Sequence, residues 1–205
     1  MTLALLVAGA CLSGCADIYN AQGMERAIAK HKTVAIIPFE ISIDAKKLPK
    51  GATIEMIRDQ ERDLGYIMQS QMHTRFLRRV GQYSIEFQDV DKTNALLMRD
   101  SITYENIRGK TKDELAKMLG VDAIVGGTIR MAQPMSLGAA VALQVLVGVS
   151  GATNKIDVAV TVHEGSDAKL LWKYAHQYSG SAGSTPESLA KAMMKHIAKK
   201  FPYRR

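Results

Sequence analysis

The clearest alternation in the chain is Ile156-Asp157-Val158-Ala159-Val160-Thr161-Val162-His163, which puts four β-branched side chains on one side and small or polar ones on the other. A period of two with a single apolar side predicts a half-buried strand. Glu164-Gly165-Ser166-Asp167 then reads as a turn, and Lys169 to Tyr178 as the returning strand of an antiparallel hairpin with one wet face. Two other runs do not alternate. Thr33-Val34-Ala35-Ile36-Ile37-Pro38-Phe39 is apolar almost throughout, the pattern of a central strand covered on both faces, and Val121 to Met131 reads as another apolar strand. Pro38 stops the first, and Gly126-Gly127 in the second allows a bulge or a close backbone approach.

Between the strands the period becomes helical. Leu64, Met68, Met72 and Phe76 recur every four residues, with Ile67 and Val80 on the same side. They predict an amphipathic helix within 51–80, stopped by Gly81. Tyr83 to Phe87 alternates as a strand, and Asp91 or Thr93 caps a short helix bearing Leu96 and Leu97. Thr111-Lys112-Asp113-Glu114 is a capping box ahead of Leu115, Met118 and Leu119, and Gly120 closes that helix. Thr185-Pro186 opens a last helix with Leu189, Met193 and Ile197 inward and Lys191, Lys195 and Lys199 in a solvated stripe. The order of elements predicts a single α/β layer domain, a mixed sheet of about four to six strands with packed helices.

The opening segment is of another kind. Met1 to Gly14 is free of charge and ends in Leu12-Ser13-Gly14-Cys15, the pattern of a lipobox cleaved before a cysteine that then carries acyl chains. It is shorter than the roughly 20 apolar residues of a membrane span. No Lys or Arg precedes Cys15, a departure from the usual basic start of a signal peptide. The expected organisation is a lipoprotein signal peptide over 1–14, a lipidated tether over 15–32 with a short helix near Met24 to Lys30, and an α/β periplasmic domain over 33–205. Asp17 is not directly after the cysteine, which favours the periplasmic face of the bacterial outer membrane.

Cys11 and Cys15 are the only cysteines, so the mature chain has no disulfide and its stability must come from a core. The net charge of +7 is uneven: from Pro186 onward six Lys and Arg stand against Glu187, or 6 − 1 = +5. The basic stripe of Lys191, Lys195 and Lys199 is the candidate contact for an anionic envelope partner, beside the plainer reading of a solubilising helix face with a frayed end. Export removes the chain from nucleic acid. The histidines are scattered without metal-ligand spacing, no serine has a Gly-x-Ser-x-Gly setting, and the glycine pair precedes no Gly-Lys-Ser/Thr. Neither an enzyme, a metal site nor a cofactor is expected.

Thr33 to Phe39, Leu119-Gly120-Val121-Asp122-Ala123-Ile124-Val125-Gly126-Gly127-Thr128-Ile129, and Lys169-Leu170-Leu171-Trp172 after the Gly165 turn together resemble a superfamily of periplasmic proteins. It comprises lipoproteins related to the curli secretion channel, the TolB amino-terminal domain and the lipoprotein activators of penicillin-binding proteins. The resemblance runs over about Thr33 to Lys200. It implies a non-catalytic module binding an envelope protein or cell-wall polymer, anchored through acyl chains on Cys15. It also draws attention to Leu137 to Val149, where the channel family extends a membrane hairpin. Val141, Leu143, Val145 and Val147 share one parity there, opposite Gly138, Ala140, Ala142 and Gln144. The run lacks an internal turn for two spans, and a buried helix or self-association fits it as well. The alternative function is therefore a subunit of an oligomeric secretion or transport assembly that uses 136–153 as oligomer or membrane contact.

Overall fold

A computed structural model describes residues 16–44, 53–132, 155–179 and 186–205. Seven strands form one sheet: β1 (Asp17–Asn20), β2 (Thr33–Ile36), β3 (Glu40–Asp44), β4 (Glu86–Phe87), β5 (Ala123–Ala132), β6 (Lys155–Glu164) and β7 (Leu170–Ser179). The order across it is β1-β7-β6-β5-β2-β4, with β3 continuing the path of β2 along β5. The sheet is mixed. β2 and β3 run parallel to β5, and β4 parallel to β2, while β5, β6, β7 and β1 are antiparallel neighbours. The expected α/β class holds, with the first apolar run split in two.

That run shows why both of its parities are apolar. Val34, Ile36 and Phe39 enter one core, with α2 (Ile54–Leu77) and α5 (Pro186–Lys200), whereas Ala35 and Ile37 enter a second, with α3 (Val90–Arg99) and α4 (Lys112–Leu119). β5 divides in the same way, Ala123 and Val125 against Ile124. The hairpin keeps its predicted wet face: Val158, Val160 and Val162 are fully buried, while Asp157 is exposed. Its register slips at Val162/His163, leaving Leu171 as the extra residue.

Helix termini follow local chemistry. The Thr111 hydroxyl accepts from the Glu114 amide and the Glu114 carboxylate from the Thr111 amide, and Gly120 ends α4 at φ 66°. Asp89 caps α3, in place of the expected Asp91 or Thr93. Helix α2 stops at Leu77 rather than Gly81, and Ile67 and Val80, expected inward, are exposed. The buried stripe runs instead through Gly65, Met68, Gln69, Met72, His73 and Phe76.

Two expectations about the chain ends are corrected. The segment assigned to a tether holds, besides the expected short helix, here α1 (Met24–Ile28), the strand β1, paired antiparallel with β7 from Asp17↔Ala175 to Asn20↔Trp172. The basic terminus is not frayed either. Phe201 and Tyr203 are buried against Phe76, Tyr83, Phe87 and Trp172, and the Ser84 amide donates to the Tyr203 carbonyl at 3.0 Å. Two aromatic rings outweigh the solvation of the flanking charges, because their carriers, the Arg204 and Arg205 side chains, remain exposed.

Candidate functional site

The break between β2 and β3 is where the structure departs from a regular sheet. From Ile36↔Val125 to Glu40↔Thr128, β2 and β3 advance four residues while β5 advances three. Pro38 has no amide hydrogen for a ladder. The Phe39 amide instead donates to the Gly65 carbonyl in α2 at 3.1 Å, and the Gln69 side chain donates to the Ile36 carbonyl at 2.7 Å. A Cβ at Gly65 would meet the Phe39 carbonyl oxygen at 2.4 Å, and one at Gly127 would meet the Phe39 ring at 2.3 Å. Gly127 therefore answers the close approach expected of the glycine pair. Gly126, facing the other way, has Ile37 no nearer than 3.6 Å.

On that other face lies a cavity of about 250 Å³, floored by Gly126, Gly127 and Thr128 and walled by Ile37, Pro38, Tyr104, Ile107, Ala159 and Thr161. Three charged side chains stand at it: Glu40, Arg108 and Lys112. Arg108 Nη2 pairs with Glu40 Oε1 at 3.2 Å. The Lys112 ammonium has no hydrogen-bond or ion-pair partner among the described residues and feels Glu40 only through space. Burial pushes its pKa down from the ordinary lysine value, and Glu40 opposes this in part. Nearby His163 is held down to about 4 by burial and then by the charge of Lys112. Its Nδ1 is buried and makes no hydrogen bond among the described residues.

The hydroxyls are less free. Thr161 donates to the Gly126 carbonyl at 3.4 Å, and the Tyr104 oxygen accepts from the Ile41 amide at 2.8 Å. The Tyr104 hydroxyl hydrogen is left to donate. Together with Glu61, which accepts from the Ile43 amide at 2.8 Å, Tyr104 also occupies the outer edge of β3. The cleft thus has a cationic excess, hydroxyls and, at Gly126 and Gly127, a floor without side chains. It joins no nucleophile to a hydrogen-bonded base.

A second polar cluster ties the chain ends. His31 is buried, with Nδ1 at 2.6 Å from the Tyr203 hydroxyl and Nε2 at 3.1 Å from both Glu164 oxygens. Beside it, burial disfavours ionised Asp122, but the Thr33 and Lys32 amides donate to its carboxylate at 2.9 and 2.7 Å. With the charges of His31 and Lys32 they hold its pKa below the usual carboxylate value. Both ring nitrogens of His31 and both Glu164 oxygens have partners in the fold, which marks the cluster as a clasp rather than a ligand site.

Among the described residues, none of the site residues singled out from sequence lines the cleft. Cys15 and Val141, Leu143, Val145 and Val147 lie outside the described residues, as does the side chain of Lys191. Lys195 and Lys199 are exposed on α5 and gather no acceptor into a site. Among the described residues no group of three metal-ligating side chains occurs, and no helix is long and apolar enough to cross a membrane. Lys112 was visible only as the first residue of a capped helix, and nothing in its neighbourhood along the chain pointed to His163, fifty-one positions away.

No family model and no curated protein matches the sequence. Solved structures do match. The PelC dodecamer from Paraburkholderia phytofirmans is 13% identical, with 93% of this chain and 99% of that one covered and a TM-score of 0.51. Lipoprotein GNA1162 from Neisseria meningitidis is 9% identical over 82% of this chain and 96% of that one, with a TM-score of 0.45. The C-terminal domain of LpoB from Salmonella enterica is 8% identical over 77% and 95%, with a TM-score of 0.35. The chain shares the fold of PelC over nearly its whole length.

Proposed function

We propose that the protein is a non-catalytic bacterial envelope lipoprotein, anchored by acyl chains on Cys15 at the periplasmic face of the outer membrane, whose α/β domain binds an envelope protein or cell-wall polymer. The observation that carries the reading is the join between lipobox and fold. Cys15 is followed two residues later by β1, so the expected tether shrinks to at most roughly 7 Å of extended chain. Lipid then holds the domain against the membrane and raises its effective concentration for partners there. The PelC-like fold and the lack of a nucleophile–base pair at the cleft support a binding role. Cys15→Ala is expected to move the protein from the membrane to the soluble fraction; continued membrane fractionation after carbonate washing overturns the anchor.

A second reading, a subunit of an oligomeric secretion or transport assembly, is favoured by one feature of the topology. Residues 133–154 leave β5 at Ala132 and return into β6 at Lys155, opposite each other in the ladder, and β1 enters beside the same end of β7. The apolar run and the lipid would then meet the membrane from one pole, and the PelC structure of the same fold is a dodecamer. Light scattering on the lipidated protein in mild detergent, beside a chain starting at Ala16, separates the two. A ring formed only by the lipidated protein and lost on Val141→Asp, Leu143→Asp or Val145→Asp substitution supports the assembly; monomers of both support the tethered module.

A further inference from the structure

The cleft at the strand break holds a positive charge that the fold leaves unmatched. Arg108 has Glu40, but Lys112 makes no hydrogen bond or ion pair among the described residues, although it is half-buried and sits in the first turn of α4. A cation is disfavoured at both counts, by desolvation and by the positive end of a helix. A bound anion in the cleft would relieve both costs at Lys112.

We propose that this cleft binds the carboxylate of an acidic sugar, with Lys112 taking the carboxylate and Thr128, Thr161 and Tyr104 addressing ring hydroxyls over the Gly126-Gly127 floor. One unmatched cation suits a monoanion better than a phosphate dianion. The hydroxyl-bearing walls and a volume of about 250 Å³ suit a single ring. A peptide is disfavoured because the β3 edge amides of Ile41 and Ile43 are already taken by Tyr104 and Glu61, so no strand can be added there. The proposal rests on the binding-module reading and is independent of the anchor at Cys15.

Saturation-transfer NMR of D-glucuronate with the full-length protein in detergent tests it. Glucuronate ring protons are expected to be saturated, and Lys112→Met to weaken the effect about fivefold or more while Lys112→Arg retains it. Thr161→Val, which removes a hydroxyl and no charge, is expected to weaken it as well, and unchanged thermal unfolding of either variant shows that the fold is kept. No saturation by glucuronate, equal saturation of D-glucose, or an undiminished signal in folded Lys112→Met overturns the proposal. Displacement of glucuronate by a lower concentration of a tripeptide with a free C-terminus also overturns it, in favour of a peptide carboxylate. Such failures, with Cys15→Ala still releasing the protein, leave the lipid-anchored module standing and remove only the sugar.

Discussion

The two faces of the sheet are built for different ends. One is closed by α2 and α5 over a continuous core in which Phe76, Trp172, Tyr174, Phe201 and Tyr203 are almost fully buried. Among the described residues the other is covered over β2 and the first half of β5, by the aliphatic side chains of α3 and α4 with Ile102 and Ile107; beyond Ile124 it turns to Gly126, Thr128, Ala159 and Thr161 and opens into the cleft. The same strands feed both, so the difference lies in which positions of each alternation are large. A face that fills its space with aromatic rings gains stability and leaves no room. A face of small and hydroxylated residues gives up part of that gain and keeps a surface for ligands.

The largest expected effect follows from the closed face. Phe76 stacks on Phe87 and touches Tyr83 and Phe201, and Phe76→Ala is expected to cost about 3–5 kcal/mol and more than Leu115→Ala on the smaller core, which falls within about 2–5 kcal/mol. Denaturant unfolding of both variants measures the contrast, and equal losses would break it. The glycine pair sharpens it on adjacent residues. Gly127→Ala drives a methyl into the immobile Phe39 ring and is expected to cost about 1–3 kcal/mol.

Acid stability gives a smaller effect on the open face. Native His163 stays neutral down to about pH 4, while its unfolded counterpart protonates near 6.5. Between these values the unfolded state binds more protons, so stability present above pH 6.5 is lost as pH falls toward 4. With its partial exposure the contribution is about 1 kcal/mol. His73, also lowered by burial, adds in the same direction. The slope of stability against pH is expected to flatten over this window in His163→Asn; an unchanged slope would place the acid sensitivity elsewhere. The smallest change is Gly126→Ala, expected to leave thermal stability within about 0.5 kcal/mol, because the added methyl finds only ordinary contact with Ile37.

What was legible in the sequence was local. A capping box spans four residues, and the Ile156 to Val162 alternation states its own face, so α4 and the hairpin stand where the pattern put them. The double coverage of Val34 to Ile37 was likewise written in consecutive residues. What failed depends on distant partners. Asp17 to Asn20 looks like linker because an edge strand draws its regularity from β7. The Phe201-Pro202-Tyr203 triplet is flanked by the charges of a tail, and distant rings, Phe76, Tyr83, Phe87 and Trp172, make it core. Ile67 shares the four-residue stripe in projection but faces solvent, while polar Gln69 goes inward because the strand break at Ile36 offers it a carbonyl. The cleft was hidden for the same reason: its charges come from the turn before α4, from α4 itself and from β3, and its floor from β5.

The clasp of His31 on Tyr203 bears on the order in which the chain can finish folding. The two residues are 172 positions apart, and β1 waits for β7 in the same manner. Contacts of such long range form late, after the loop between them has been closed at an entropic cost. A chain emerging amino-terminus first therefore carries Asp17 to Asn20 unpaired until β7 has followed, and leaves His31 without its latch until Tyr203 is out.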